Sequence, residues 1–492
     1  MAKEERVVSK RAWVGLSAAV LVIAVAGGGY ALLLSSANDA VERNIAQFRD
    51  SLPAGAVFTH GAYDVDLLER SVTMASPTVD FNGYGGLGVW TAAQAVVSGL
   101  EPDETETRAA RILLEDVSLS ELDGSLRLEV VEAQDVVIAG DPLDLRSGLL
   151  QTRIASLRAG GLEAAAGDVT FALGELLMTE VDGGKLGDLR FDDLTIETRE
   201  PEDRINLTVG FFSAADLDLS PLISLTPTEL AAVPDQQAFD FAVELGRDMV
   251  SGLTGYAIEQ LRFESAGLPE LMELAALRLT DAQIIDGQVV GGFSELRGLS
   301  IPLGPIVPSD AMPIFSSLSP QDRLSLSASL DQRYDPAAES LSFVQDVVLH
   351  DLFELEIALR LGNITSPPHL RMSELDLQVT MLSASLDEAD AVLTDLGLLQ
   401  PALEVFAAQR GLTEEELIGQ LIVDAAEAVQ ALQLGAPGLQ AVQALEAFLL
   451  DTGRLRIVLA PREETPLLSF GLARTPSDVM ELLNPSFTVL TD

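Results

Sequence analysis

The chain has 492 residues, is 48% hydrophobic and has a mean hydropathy of +0.27, which predicts two or three domains with sizeable cores and excludes a chain disordered throughout. It has no cysteine, so disulfides, thiolate nucleophiles, Fe–S clusters and cysteine-ligated zinc are excluded. The 76 acidic residues against 30 basic ones give a net charge of −46 and leave no basic stripe to meet a phosphate backbone, so nucleic acid is not an expected partner.

Residues 12–34, AWVGLSAAVLVIAVAGGGYALLL, carry no charge. At 1.5 Å per residue a helix of that length crosses a hydrocarbon core of about 30 Å. Trp13 and Tyr30 lie near its ends, where amphipathic rings prefer to sit. Lys3, Arg6, Lys10 and Arg11 precede it, whereas Asp39 and Glu42 follow it. By the positive-inside rule the N-terminus stays in the cytoplasm and the body is exported. The competing expectation is a signal peptide cleaved at Ser35-Ser36-Ala37, against which the apolar run is long.

Beyond the anchor, Ala40 to Leu52 forms a short amphipathic stretch ended by Pro53, and strand signals then dominate for about 160 residues. Leu126, Leu128 and Val130 alternate with polar residues, as do Ile205, Leu207, Val209 and Phe211. Asp-Gly, Gly-Asp and Gly-Gly turn signals between such runs leave no room for crossover helices, which predicts an antiparallel meander. A helical interlude follows over about 227–253.

A second strand region extends to about residue 385. Phe353, Leu355, Ile357, Leu359 and Leu361 alternate with Glu354, Glu356, Ala358 and Arg360, giving one apolar and one charged sheet face. Leu375, Leu377 and Val379 alternate with Glu374, Asp376 and Gln378 and predict one more strand. From about 387 to 450 the pattern is helical, with Gly411 as a stop, Thr413 and Glu416 as a capping box, and Gly435 with Pro437 closing the second helix. The strand Leu455–Leu459, a short helix at 476–483 and a last strand complete the chain. The expected organisation is thus an anchor at 1–36, a strand-rich exported region at 37–260 and a second strand-rich region with C-terminal helices at 261–492. The fold class is β-rich α+β: one transmembrane helix, then antiparallel meander sheets with helical insertions and a C-terminal helical cluster.

Motifs of established chemistry are scarce. The glycines at 83, 85, 86 and 88 fit a dinucleotide fingerprint by spacing, yet antiparallel strands surround them, so a glycine turn is expected. His60, His350 and His369 stand apart from one another, and no nucleophile elbow, P-loop, HExxH or EF-hand loop occurs. Asp64 with Asp66, and Asp216 with Asp218, fall two apart in strands, where solvated faces are the ordinary outcome for so acidic a chain. No catalytic residue, metal site or cofactor is expected.

Tyr63-Asp64 and Tyr334-Asp335 each open a Tyr-Asp, turn, strand segment, which suggests a divergent duplication. Together with the N-terminal anchor, the long meander with one apolar face and the terminal helices, this layout resembles uncharacterised membrane-anchored envelope proteins of Gram-negative bacteria. More distantly, it is similar to the AsmA-like family. That resemblance implies long sheets folded into a groove for lipid acyl chains between two membranes, and it carries over no functional residue. The expectation is a single-pass inner-membrane protein with a periplasmic, non-enzymatic body. Residues 353–361 supply a face for a lipid or another apolar partner, and the alternative is a structural or protein-interaction module.

Overall fold

The structure is a computed structural model that describes most residues between 41 and 490; the longer stretches outside the described set are 1–40, 140–151, 221–252 and 305–322. The expected anchor at 12–34, the Ser35-Ser36-Ala37 site, most of the 227–253 interlude and His369 therefore lie outside the described residues. Among the described residues no helix is long and apolar enough to cross a membrane. The fold is β-rich α+β, with extensive antiparallel sheet and a few helices. Contacts divide the chain into two compact units, Met1–Ile258 with Phe263–Gly267, and Glu259–Arg262 with Leu268–Asp492.

The first unit opens with short strands: β1 (Val57–Thr59), β2 (Tyr63–Asp66), β3 (Ser71–Ala75), β4 (Thr78–Asp80), β5 (Val89–Thr91), β6 (Gln94–Ser98) and β7 (Glu101–Pro102). The glycine-rich segment joins β4 to β5, which pair antiparallel. Gly83, Gly85 and Gly86 lie outside the described residues, and the antiparallel strands that flank them offer neither the helix nor the parallel strand that a dinucleotide turn needs. Six long strands come next in an unbroken antiparallel meander: β8 (Glu106–Glu121), β9 (Gly124–Ala139), β10 (Thr152–Ala166), β11 (Val169–Asp182), β12 (Lys185–Thr198) and β13 (Ile205–Asp218).

These strands do not keep the simple two-residue alternation. In β8 the residues that enter the core are Ala109, Ile112, Leu114, Val117 and Leu119. Their spacing runs three, two, three, two. In β9 Leu126 and Leu128 are followed on that face by Val131 and then Ala133, Val136 and Ile138, so Val130 turns away from it. In β13 Phe212 and Ala214 join a core, while Phe211 lies on the other face under the guanidinium of Arg190, 5.0 Å from the ring centre. The reading of Val130 and Phe211 as core-facing fails at these positions.

Each long strand has one left-handed residue: Asp116 (φ 48°), Asp135 (50°), Gly161 (60°), Glu180 (52°), Asp193 (56°) and Asp216 (59°). The strand beside it breaks its alternation at the residue opposite: Glu129, facing Asp116 and Gly161, turns Val130 away, and Gly210, facing Asp193, does the same to Phe211. A residue with positive φ interrupts the pleat, so the next side chain emerges on the face that strict alternation would deny it. Aspartate and glycine tolerate that conformation better than most residues, which explains acidic residues in the middle of apolar strands. Continuing the register, Asp135 faces Ala110 and Ala155, Glu180 faces Ala155 and Gly187, and Asp193 faces Gly174 and Gly210. Small residues are needed there: a Cβ on Gly187 would lie 2.9 Å from that of Glu180, and one on Gly174 3.3 Å from that of Asp193.

The first core gathers Phe58, Val79, Trp90, Val97, Ile112, Leu114 and Val136, with Val41 and Ile45 from helical residues ahead of β1. It therefore seals the β8–β9 end of the long meander beneath the short strands.

The second unit continues as β15 (Leu268–Ile285), β16 (Gln288–Pro302), β17 (Arg323–Asp335), β18 (Ser340–Leu349) and β19 (Phe353–Gly362), again antiparallel, with β14 (Gly255–Ser265) at the division between units. The pleat is interrupted near Asp281 and Gly298, where the register shifts. After β19 come α1 (Glu374–Ser383), β20 (Ser385–Asp395), α2 (Leu399–Arg410), α3 (Glu414–Ala431) and α4 (Gly435–Asp451). The chain closes with β21 (Arg454–Leu459), β22 (Thr465–Pro466), α5 (Leu467–Leu472), α6 (Pro476–Leu483) and β23 (Pro485–Leu490).

Two expectations need correction here. Leu375, Leu377 and Val379 belong to α1, which starts at a true cap, the Ser373 hydroxyl accepting from the Asp376 N–H. Residues 385–395 form β20, because Leu386, Ala389, Ala391 and Leu393 pair with β19; the helices begin only at Leu399. Gly411 ends α2 in the left-handed region (φ 69°), and Thr413 and Glu416 form the capping box of α3. Gly435, expected to close a helix, instead opens α4. The two Tyr-Asp segments are not superimposable in register. The turn-forming carboxylate is Asp66 in the first and Asp335 in the second, each accepting two backbone N–H groups.

Replacing Asp193 by valine should lower stability by about 1–2 kcal/mol, because a β-branched residue is strained in the left-handed region. Glycine at the same site should be near neutral or stabilising. Urea unfolding checks this ordering, which is the reverse of the order for an ordinary strand; a glycine variant weaker than the valine one contradicts the pleat interruption.

Candidate apolar binding face

The sheet of the second unit carries an apolar row that crosses eight strands without a polar member: Leu277, Leu296, Ala328, Val347, Leu355, Leu393, Leu455 and Val489 are each paired with the next. Directly paired residues share a face, so this row defines the side on which Phe353, Leu355, Ile357, Leu359 and Leu361 lie. All eight members are half-buried. The neighbouring row through Ile357 is also mainly apolar, with Leu330, Ala391, Ile457 and Phe487, but is broken by Gln345.

The five expected residues are therefore brought to one face but not to one environment. Leu361 is 2% exposed and belongs to the second core with Val290, Tyr334, Leu341, Ile364 and Leu386. Leu359 packs on that core with Met381 of α1, Leu467 and Phe470 of α5 and Leu483 of α6. Tyr334 buries its ring here and donates its hydroxyl to the Ile364 carbonyl, 2.9 Å away, so its one polar atom is satisfied. Phe353, Leu355 and Ile357 remain half-buried. At the outer end of the Phe353 row Asp395 turns its carboxylate toward α2, accepting the N–H groups of Leu398 (2.9 Å) and Leu399 (3.0 Å).

The opposite face is ionic. Arg456 Nε donates to Asp390 Oδ1 at 3.0 Å, and Arg454 lies 3.6 Å from Glu356. Helices α2 and α3 have a small core of their own, Leu403, Ala407 and Leu417. Helix α4 packs against β21 and β23, and its Gln440 side chain donates to the Phe487 carbonyl at 3.3 Å.

A family model described as an uncharacterized protein matches residues 346–489. The match begins in β18 and ends in β23, so it contains the half-covered part of the face together with the helices around it. No curated protein matches the chain.

The remaining sequence-level candidates are not assembled into a site. Asp64 is exposed, and Asp66 is spent on its turn. Asp216 accepts from the Thr254 hydroxyl at 2.5 Å, whereas Asp218 accepts from the Ser220 N–H at 2.9 Å, so the two serve different loops. His60 Nδ1 is 2.7 Å from the Gly61 carbonyl, and His350 Nε2 is 3.0 Å from Ser327 Oγ. That hydroxyl also accepts from the Gly298 N–H. Among the described residues no group of three metal-ligating side chains comes together. Sequence reasoning missed the row across β15–β23, because each strand contributes only one residue to it and only register reveals it.

Leu361→Ala should cost about 2–5 kcal/mol by opening a cavity in the second core. Leu355→Ala should cost clearly less, since its side chain is only half-buried. Chemical unfolding of both variants checks the gradient along β19. A second expectation concerns α6, whose Leu483 packs, like Leu359, against the second core. The backbone N–H of Thr475 holds the Asp478 carboxyl below its ordinary value. A lowered folded value means stabilisation that is present above the unfolded pKa and lost as pH falls through the folded one. The protection of the Thr475 amide, its exchange rate relative to the intrinsic rate at the same pH, should therefore fall at acidic pH, and Asp478→Asn should remove most of that pH dependence.

Proposed function

We propose that this is a membrane-anchored periplasmic protein of the bacterial envelope, non-enzymatic, that holds a lipid or another apolar partner on the half-covered sheet face of its second unit. The observation that carries the reading is the eight-residue apolar row through Leu355, half-buried along its length and backed by an ionic face. Removing such a surface from water is favourable by about 25 cal/mol per Å². The uncharged stretch 12–34, with basic residues before it and an acidic body after it, supports the inner-membrane anchor and its orientation. The charge of −46 argues against nucleic acid as a partner.

A second reading, a structural or protein-interaction module, has its own support. Helices α2–α4 expose Phe406 (46%), Val423 (55%) and Leu450 (61%), apolar side chains that a partner protein could cover.

A photo-crosslinking residue placed at Leu355 in the full chain, illuminated in cells, distinguishes the two. Lipid adducts at 355 and none at the exposed Glu356 are the expected result. Protein adducts alone, formed from 406 or 423, support the second reading and displace the first.

A further inference from the structure

Four short strands of the first unit make one long arm. Val57, Thr59, Tyr63 and Asp66 pair with Asp80, Thr78, Met74 and Ser71 in a single register, so β1–β2 and β3–β4 form one hairpin. Between the two ladders the Gly61 N–H donates to the Ala75 carbonyl at 2.7 Å and keeps the arm continuous. Val65, Val72 and Met74 fasten it to the first core. At its tip stands Leu68, 96% exposed, more than any other large apolar side chain among the described residues. The turn that carries it is braced. The Asp66 carboxylate accepts the N–H groups of Leu68 (2.8 Å) and Glu69 (3.0 Å), the Arg70 carbonyl accepts from the Gly99 N–H (3.0 Å), and Arg70 Nη1 donates to Glu101 Oε1 at 3.0 Å.

What sets this leucine apart from other exposed apolar residues is where the arm points. The helical residues at 41–42, 45–46 and 49–50 run beside it. Arg49 Nε donates to the Phe58 carbonyl at 3.3 Å, and the Tyr63 hydroxyl donates to Glu42 at 3.4 Å. The chain therefore leads away from Glu42 to Arg49 and the arm brings it back from Phe58 to Tyr63. Val41 and Ile45 are buried in the first core, so this antiparallel arrangement is fixed. The arm then continues past Glu42 by the length of β2, which places Leu68 about 10–13 Å beyond it. The uncharged stretch ends at Leu34. From there to Glu42 the chain spans about 12 Å if helical and at most about 28 Å if extended. The tip thus reaches the level at which a bilayer holding residues 12–34 would have its surface.

We propose that Leu68 is a second membrane contact: the hairpin tip dips into the interface of the bilayer that holds residues 12–34. This rests on the anchored reading proposed above. Because β3 pairs with β6 and β6 with β8, the arm shares its direction with the long meander, whose strands then run away from the membrane rather than along it. A body so acidic would be repelled by an anionic surface, so the surface that fits is a zwitterionic one. Carboxylates near the tip are engaged: Asp66 by its turn, Glu101 by Arg70, and Glu106 by Arg108 and Arg153. Glu69 follows Leu68 at once and limits insertion to the headgroup boundary.

The chain has no cysteine, so a single introduced one carries a fluorophore without background. The full chain is placed in phosphatidylcholine vesicles that contain a lipid bearing a nitroxide just below its headgroup. The label sits at Glu69, at Ile23 within the uncharged stretch, or at Val169, which is exposed in the hairpin at the other end of the long strands. Circular dichroism of each variant is first matched to the wild type. The nitroxide should quench the labels at 69 and 23 and leave that at 169 bright. Leu68→Asp should restore the signal at 69 to the level at 169 without changing that at 23. Quenching at 23 with none at 69 overturns this inference and spares the anchor. No quenching at 23 removes the anchored reading, and this inference goes with it. Equal quenching at 69 and 169, or quenching at 69 that survives Leu68→Asp, means general adsorption and overturns the tip contact.

Discussion

The first unit depends on left-handed residues, one in each long strand, whose crossings are shared by the residues paired opposite them. A strand of 14 to 16 residues with strict alternation would need every second side chain to be apolar, and these strands do not have that pattern. The interruption at Asp116, Asp135, Gly161, Glu180, Asp193 and Asp216 brings the two-three spacing of apolar residues onto a single face. The small residues opposite, such as Gly174 and Gly187, are the complement of that interruption. Backbone conformation, side-chain size and apolar spacing therefore agree at each crossing. Such agreement between levels is what lets a sequence specify one register rather than several.

The second unit shows how the same kind of sheet is finished. Three short helices, α1, α5 and α6, supply Met381, Leu467, Phe470 and Leu483 to the apolar face around Leu359, and Leu361 beside it is fully enclosed. The longer helices α2–α4 look to their own core and to the edge at β21 and β23. The face therefore grades from core at Leu361 to half-covered surface at Phe353, within one ten-residue strand.

Features set by residues close in sequence were legible without coordinates. The Thr413–Glu416 box, the Gly411 stop, the alternation of β19 and the helix at 476–483 depend on neighbours within a few positions. Features set by distant partners were not. Leu375, Leu377 and Val379 alternate like a strand, yet no sheet edge takes them and the Ser373 cap starts a helix. Residues 385–395 are rich in alanine and acid, which suits a helix, but pairing with β19 makes them a strand. Strict alternation puts Phe211 and Val130 on the wrong face because it runs through crossings set by left-handed residues of neighbouring strands, Asp193 opposite Gly210 and Asp116 opposite Glu129. The candidate residues 353–361 were legible as a face, whereas the gradient of cover along them depends on α1 and on α5 and α6, the last two more than a hundred residues away.

The two-three spacing also limits how such a sheet can change length. In β8 the inward positions 109, 114 and 119 recur every five residues, and 112 and 117 do the same. Lengthening an ordinary strand by two residues keeps its faces in phase. Here an added pair would carry the apolar residues beyond it onto the ionic side, and the matching hairpin partner would need the same insertion. Growth or shrinkage that keeps both faces intact comes in blocks of five, each with its own crossing, so the meander behaves as a set of panels whose width is quantised.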